Sequence, residues 1–227
     1  MTRANTHAGT LSGIVRPASE YRYGIFIRPP AEVALPALEM MRTARDLFGF
    51  HAATAYPPHL TLIGSIVLTG TEAQLIDAVD GVLAGRAAIP IHGAGLNAAI
   101  GAAIGIDYNH ASDGEQNSQL VDLYEDLRRE TEQLRGFEPT DRKAAERRAK
   151  EGAEHFRAHL TVLGHDGIDN SSARAEAKDV LERLVEDLPE DWTADTITIY
   201  RFWSADWDAK YWLTQEWIPI ASWNLAG

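Results

Sequence analysis

The heptapeptide His59-Leu60-Thr61-Leu62-Ile63-Gly64-Ser65 returns about one hundred residues later as His159-Leu160-Thr161-Val162-Leu163-Gly164-His165. No other feature restricts the fold as tightly. Each copy alternates polar with apolar residues, and a period of two marks a strand buried on one face. Side chains at i and i+2 share a face, so His59 and Thr61 point one way while Leu60 and Leu62 point the other, and the second copy repeats this. Each strand thus offers an imidazole and a hydroxyl about 7 Å apart along its length. Two such strands laid side by side across a cleft bring four polar groups together.

The flanking sequence repeats in order as well. Tyr21 to Arg28 alternates like a strand and is stopped by Pro29-Pro30. Leu35, Leu38, Met41 and Phe48 share a helical face, which predicts a helix over 34–48 closed at Gly49. After the first motif, Thr71 and Gln74 form a capping box for a helix carrying Leu75, Val79, Val82 and Leu83. Ile89 to His92 and Ala98 to Asp107 read as strands, the second weakened by Gly101 and Gly105. Leu120, Tyr124, Leu127 and Leu134 then define a helix ending near Gly136, ahead of the charged stretch Pro139 to Glu154 and the second motif. Ala177, Val180, Leu181, Leu184 and Leu188 give a further helix stopped at Pro189. Thr196 to Phe202 and Tyr211 to Ile218 are expected as strands. Residues 1–20 lack periodicity and read as a flexible leader, leaving 21–227 as a single domain of two lobes. The expected class is α+β: a pseudo-duplicated, bilobal fold of two mainly antiparallel sheets flanked by helices, with a cleft between them.

Charge and composition limit the function. A net charge of −12 argues against broad binding to long DNA or RNA, which rests on a basic surface, but leaves a small anionic ligand open. With no cysteine, the chain has no thiolate nucleophile and no cysteine metal site. No run has the length of a membrane span or a signal peptide, so a cytoplasmic protein is expected. Histidine titrates near neutral pH, so one imidazole can take a proton while a second gives one. Such a pair suits displacement at phosphorus, with threonine hydroxyls holding the non-bridging oxygens as their charge redistributes.

On Pro58-His59-Leu60-Thr61-Leu62-Ile63-Gly64 and Phe156-Arg157-Ala158-His159-Leu160-Thr161-Val162, the chain resembles the two-histidine phosphoesterase superfamily, which includes 2′,3′-cyclic nucleotide phosphodiesterases and bacterial 2′-5′ RNA ligase-like proteins. The first motif is most similar to the plant and yeast cyclic phosphodiesterase branch. The second departs from the family in one respect: Ala158 stands where proline often precedes the histidine. The resemblance implies a bilobal fold and opening of a cyclic or internal phosphodiester with neither metal nor organic cofactor. It makes His59 and His159 the acid and base, in an order left open, and Thr61 and Thr161 the phosphate ligands.

Other candidates carry a bland reading beside the functional one. Arg157 lies two residues before His159 and offers a cleft cation. Ser65 and His165 return to the cleft face only if no register break intervenes at Gly64 or Gly164; otherwise His165 is a surface residue. His155 and His159 would adjoin on a helix but lie about 13 Å apart on a strand, which disfavours a shared metal. The basic residues from Arg142 to Lys150 fit a loop closing over phosphate, or an ordinary solvated helix face. Tyr200, Phe202 and Trp203 follow the strand expected to border the cleft, and one of them is a candidate base-stacking residue, as are Tyr56 and Phe26. The six tryptophans, crowded into the C-terminal third, otherwise fit core or a subunit contact. The expected function is opening of a 2′,3′-cyclic or related cyclic phosphate on a nucleotide, an ADP-ribose derivative or a short RNA end. The alternatives are cleavage of short or cyclic oligonucleotides, 2′-5′ linkages included, and a nucleotide-binding module without turnover. No membrane partner is expected, and the oligomeric state is left open.

Overall fold

A computed structural model describes residues 3–4, 20–98, 103–136, 152–207 and 210–226. Its elements in chain order are β1 (Arg3–Ala4), β2 (Tyr21–Ile27), α1 (Ala31–Phe48), β3 (Leu60–Leu68), α2 (Glu72–Leu83), β4 (Ile89–His92), β5 (Leu96–Ala98), β6 (Ile104–Asp107), α3 (Ser118–Thr131), β7 (Arg135–Gly136), β8 (His159–Leu163), α4 (Ser171–Leu184), β9 (Asp191–Ala194), β10 (Thr196–Trp203) and β11 (Glu216–Asn224). The main sheet runs β1-β11-β10-β2-β3-β8-β6-β5, with β7 added beside β3, while β4 and β9 form a small second sheet. Every pairing between these strands is antiparallel.

The α+β class and the duplication are both visible in that order. Each half supplies a strand, a helix, a motif strand and a helix, β2-α1-β3-α2 and β6-α3-β8-α4, and the sheet places them as β2-β3 against β8-β6. The two motif strands pair at one position, Leu60 opposite Leu160. The two expected sheets are therefore joined edge to edge. The helices cross over at this seam: α1 of the first half packs on β8, and α3 of the second half packs on β3. Leu60 and Leu160 turn towards those helices and are sealed from water, at 1% and 0% exposure. Tyr23, Ile25 and Ile27 of β2 and Ile197 and Ile199 of β10 join the same core.

Local chemistry explains most of the helix boundaries. The Thr71 and Gln74 capping box forms at α2 as expected, with Gln74 N–H donating to the Thr71 hydroxyl at 3.2 Å. Asn117 and Asn170 cap α3 and α4 by accepting the N–H groups of Leu120 and Ala173. Gly49 ends α1 in the left-handed region, at φ 76°. This helix begins earlier than its apolar spacing suggests, at Ala31 directly after Pro30, and it carries Pro36 within its second turn.

Three other differences matter. Ala98 to Asp107 is not one strand: β5 and β6 form a hairpin, with Leu96 paired to Ile106 and Ala98 to Ile104. Tyr211 to Leu213 is a 3₁₀ turn, and the last strand starts at Glu216 and runs to Asn224. The expected leader falls mostly outside the described residues, yet Arg3 and Ala4 pair with Trp223 and Ser222 of β11. Among the described residues, no helix is long and apolar enough to cross a membrane.

Candidate active site

The seam fixes the geometry. With Leu60 opposite Leu160 in an antiparallel pair, the neighbouring positions place His59 beside Thr161 and Thr61 beside His159. All four side chains lie on the face opposite the helices, arranged about a pseudo-twofold axis through the leucine pair. The sequence places these residues on one face of their strands, and the structure brings the two strands together.

Both imidazoles are held in the same way. His59 Nδ1–H donates to the Pro57 carbonyl at 2.7 Å, and His159 Nδ1–H to the Arg157 carbonyl at 2.8 Å. A carbonyl only accepts, so Nδ1 carries the proton in each ring. Nε2 is left to exchange a proton with a ligand.

The surroundings of the two rings differ. His59 is wedged among aromatics, with the Phe26 ring centroid at 4.5 Å, edge-on, and that of Tyr56 at 5.6 Å. Burial pushes its pKa down to about 4; the Pro57 carbonyl opposes this and the charge of His159 adds to it. Phe26, Tyr200 and Phe202 form a small cluster of their own, with Tyr56 and Trp207 packed against it. His159 instead lines a polar cavity of about 550 Å³ walled by β5, β6 and the loops that follow β6 and precede β8.

The neighbouring strands account for this contrast. Phe26 of β2 pairs with Thr61, whereas Gly105 of β6 pairs with Thr161. A Cβ at position 105 would stand 2.9 Å from the Leu160 carbonyl oxygen and 3.4 Å from His159 Cδ2. Glycine therefore keeps the space beside His159 open where the first half fills it with a phenyl ring. One step further along, Asp107 pairs with His159, and the register of β2 continued past Ile27 brings Arg28 alongside His59. Arg28 is exposed, and its charge opposes the rise that burial gives the Tyr200 hydroxyl.

The remaining candidates divide. Arg157 lines the polar cavity, and its guanidinium donates to the carbonyls of Glu154 and Phe156 at 3.0 and 2.7 Å. Tyr200 belongs to the aromatic cluster on the cleft face but is almost fully covered, at 3% exposure. Trp203 is a correction: alternation along β10 turns it to the helix face, where it packs on the main core, and Phe202 is the residue that joins Phe26. Ser65 falls at a bulge in β3, where its φ of 52° and the shifted pairing with β2 break the alternation. Nor does strand periodicity reach His165. β8 ends at Leu163, and His165 opens a 3₁₀ segment where it meets the rings of Tyr211 and Trp212. His155 lies in a separate 3₁₀ turn beside Glu154. The basic stretch from Arg142 to Lys150 lies outside the described residues.

Sequence reasoning missed a tie between the two motif segments. Asp166, just after β8, accepts the backbone N–H groups of His51 and Ala52, on the loop that carries Tyr56 and leads into His59. Gly164 makes this approach feasible, since a Cβ there would lie 2.5 Å from Ala52 Cβ. The clue in the sequence was a glycine in the same place in both motifs. Here the glycine marks close backbone approach rather than a simple strand end.

A family model for the 2′-5′ RNA ligase superfamily matches residues 29–204. The chain belongs to that superfamily. Its two-histidine character, expected from the doubled motif, is thereby established. Among solved structures, TT0787 of Thermus thermophilus matches with a TM-score of 0.55 at 14% identity, over 91% of this chain and 98% of that one. Escherichia coli LigT, solved with NADP⁺, matches with a TM-score of 0.50 at 17% identity, over 92% and 99%. At such identities these two structures speak for the fold alone. No curated protein matches the chain.

Proposed function

We propose that this chain is a phosphodiesterase that opens a 2′,3′-cyclic or related cyclic phosphate on a nucleotide, an ADP-ribose derivative or a short RNA end. The observation that carries the reading is the pairing of Leu60 with Leu160, which sets two imidazoles and two hydroxyls around one point on the open face of the sheet. A phosphate seated there meets the hydroxyls of Thr61 and Thr161 at its non-bridging oxygens. One Nε2 takes the proton of the attacking oxygen and the other protonates the departing oxygen. The two exchange roles when the bond is run in reverse. Nothing in this sequence of proton transfers calls for a metal. General acid and base catalysis supplies roughly 10² to 10⁴ in rate, and positioning with hydroxyl donors the rest.

The NADP⁺ complex of LigT is consistent with a nucleotide ligand, and the acidic chain suits a small ligand better than a long polymer. The name of the superfamily favours a second reading, cleavage of a 2′-5′ linkage in a short oligonucleotide by the same four groups. The test is turnover of 2′,3′-cyclic mononucleotides in the presence of EDTA, with 2′-5′-linked dinucleotides run in parallel. His59→Ala and His159→Ala should each lower the rate by about 10² or more. Thr61→Val and Thr161→Val should cost about tenfold each, as lost hydrogen bonds to a charged group. Full activity in either histidine variant would end the paired-imidazole mechanism, and protein that binds nucleotide but never turns it over would point to a binding module instead.

A further inference from the structure

We infer that the polar cavity beside His159 is a sugar subsite in which Asp107 accepts hydrogen bonds from the free cis-diol of a sugar joined to the phosphate through its 5′ oxygen, as on the 5′-linked side of a 2′-5′ dinucleotide; the ribose of a 2′,3′-cyclic mononucleotide, with both hydroxyls esterified, would leave it empty. The inference rests on the reading of the His/Thr face as a phosphate site and adds to it a neighbouring recognition element.

Four observations converge. First, the cavity begins at the reacting face: His159 is part of its wall, and its volume of about 550 Å³ accommodates a ribose with room to spare. Second, it exists because of one residue. At the position where the first half of the molecule carries Phe26, the second carries Gly105, and any Cβ there would crowd His159 and the Leu160 carbonyl.

Third, the Asp107 carboxylate is oriented in advance. One oxygen accepts the Asn109 N–H at 2.8 Å and has His110 Nδ1 at 3.9 Å, beyond hydrogen-bond reach; the other accepts the Asn97 amide at 3.3 Å, while the side chain remains 18% exposed. An ionised carboxylate only accepts, and its two oxygens offer about four lone-pair sites, so both keep capacity for a ligand. The partner it seeks is a donor, and two adjacent hydroxyls match its two oxygens. Fourth, the lining is rich in hydrogen-bonding groups, with Asn97, Asn109 and Gln116 around Asp107 and with His110 and Arg157 beside them, and it includes no phenyl, phenol or indole ring. A base that stacks is served by the aromatic cluster on the His59 side. Hydrogen-bonding walls suit hydroxyls. Asp107 also stands directly across from His159, so a sugar bonded to the phosphate held there needs no long reach.

Adenosine 5′-monophosphate and its 2′,3′-dideoxy counterpart separate this subsite from the phosphate site, because neither is a cyclic phosphate and they differ only in the diol. Titration calorimetry with both, in competition with inorganic phosphate, gives the two affinities. Wild-type protein should bind the diol form about tenfold tighter, the scale of hydrogen bonds to a charged acceptor. In Asp107→Asn that ratio should fall to near one. Asp107→Ala should do the same, and thermal unfolding of both variants checks that the fold survives the loss of the Asn109 and Asn97 contacts. Asn97→Ala, at the exposed sheet edge, should lower the ratio part-way by releasing one carboxylate oxygen. Equal affinities for the two nucleotides in wild type, with phosphate still competing, would overturn the subsite and leave the phosphate site standing. A diol preference that survives both Asp107 variants would also overturn it. Failure of phosphate and both nucleotides to bind would instead remove the reading on which the subsite rests, and the subsite with it.

Discussion

The aromatic setting of His59 makes acid stability a direct probe of the site. Packed between Phe26 and Tyr56, the ring has its pKa lowered from 6.5 to about 4 by burial. In the unfolded chain the same imidazole takes up a proton as pH falls through 6.5, whereas in the folded chain it does so only near 4. The unfolded state binds more protons across that window. Stability is therefore full above the higher value and is lost as pH falls towards the lower one. Integrated over the two titrations, this ring alone costs about 2 kcal/mol between pH 7 and pH 5, and about 3 kcal/mol by pH 4. His59→Asn abolishes the titration while its amide still offers an N–H to the Pro57 carbonyl. Urea unfolding of both proteins at pH 7 and pH 5 supplies the comparison, since groups other than His59 and its charge partner His159 titrate alike and cancel in the difference. The wild type should lose about 2 kcal/mol more than the variant. Parallel losses would mean that His59 titrates as a free histidine, and the account of the aromatic wall as the cause of its neutrality would fall.

Further outcomes follow from the same contacts. Phe26→Ala opens the ring of His59 to water, so its pKa, read from the imidazole proton shifts, should rise towards 6.5. Gly105→Val forces β6 or His159 to move, because even a Cβ sits 2.9 Å from the Leu160 carbonyl oxygen; kcat should drop by about 10², as for a catalytic group displaced by about 1 Å. Asp166→Ala strands two N–H groups on the loop leading to His59, so it should cost about 1 to 3 kcal/mol in denaturant unfolding and lower kcat, with Asp166→Asn recovering part of both. Arg28→Ala should weaken inorganic phosphate binding several-fold, an effect that shrinks as salt is raised.

The sequence disclosed the strands that carry the site better than the walls around it. Period-two patterning placed His59 with Thr61 and His159 with Thr161 correctly, because one buried face enforces alternation wherever a strand is regular. Where the backbone is irregular, the same rule could not decide. It left Ser65 and His165 conditional on a register break at Gly64 or Gly164, which the bulge in β3 and the end of β8 supply, and it left open whether Tyr200, Phe202 or Trp203 faced the cleft. Asp107, Gly105, Arg28 and Asp166 were not legible as site residues, since each acquires its role from a partner on another strand or loop. Gly105 is the instructive case. In one dimension it weakens a strand, and in three it makes the space that His159 faces.

A duplicated frame poses a chemical problem that these walls resolve. Twofold symmetry supplies two equivalent imidazoles, but breaking a phosphate ester needs two unequal partners, one that gives a proton and one that takes it. The central strands keep the symmetry, with Leu60 on Leu160 and each histidine beside the other motif's threonine. The next strands break it. Phe26 flanks the first motif, Gly105 and Asp107 the second, so one ring packs against a phenyl while the other faces a polar cavity opposite a carboxylate. Exchanging the flanking residues, Phe26→Gly with Gly105→Phe, tests whether inequality resides in these strands. A side chain at position 105 requires β6 to shift away from the Leu160 carbonyl, so circular dichroism checks that the double variant keeps its fold; in folded protein the lowered pKa should move from His59 to His159. A pKa that stays with His59 would place the asymmetry elsewhere, in the Tyr56 loop that Asp166 holds against the cleft.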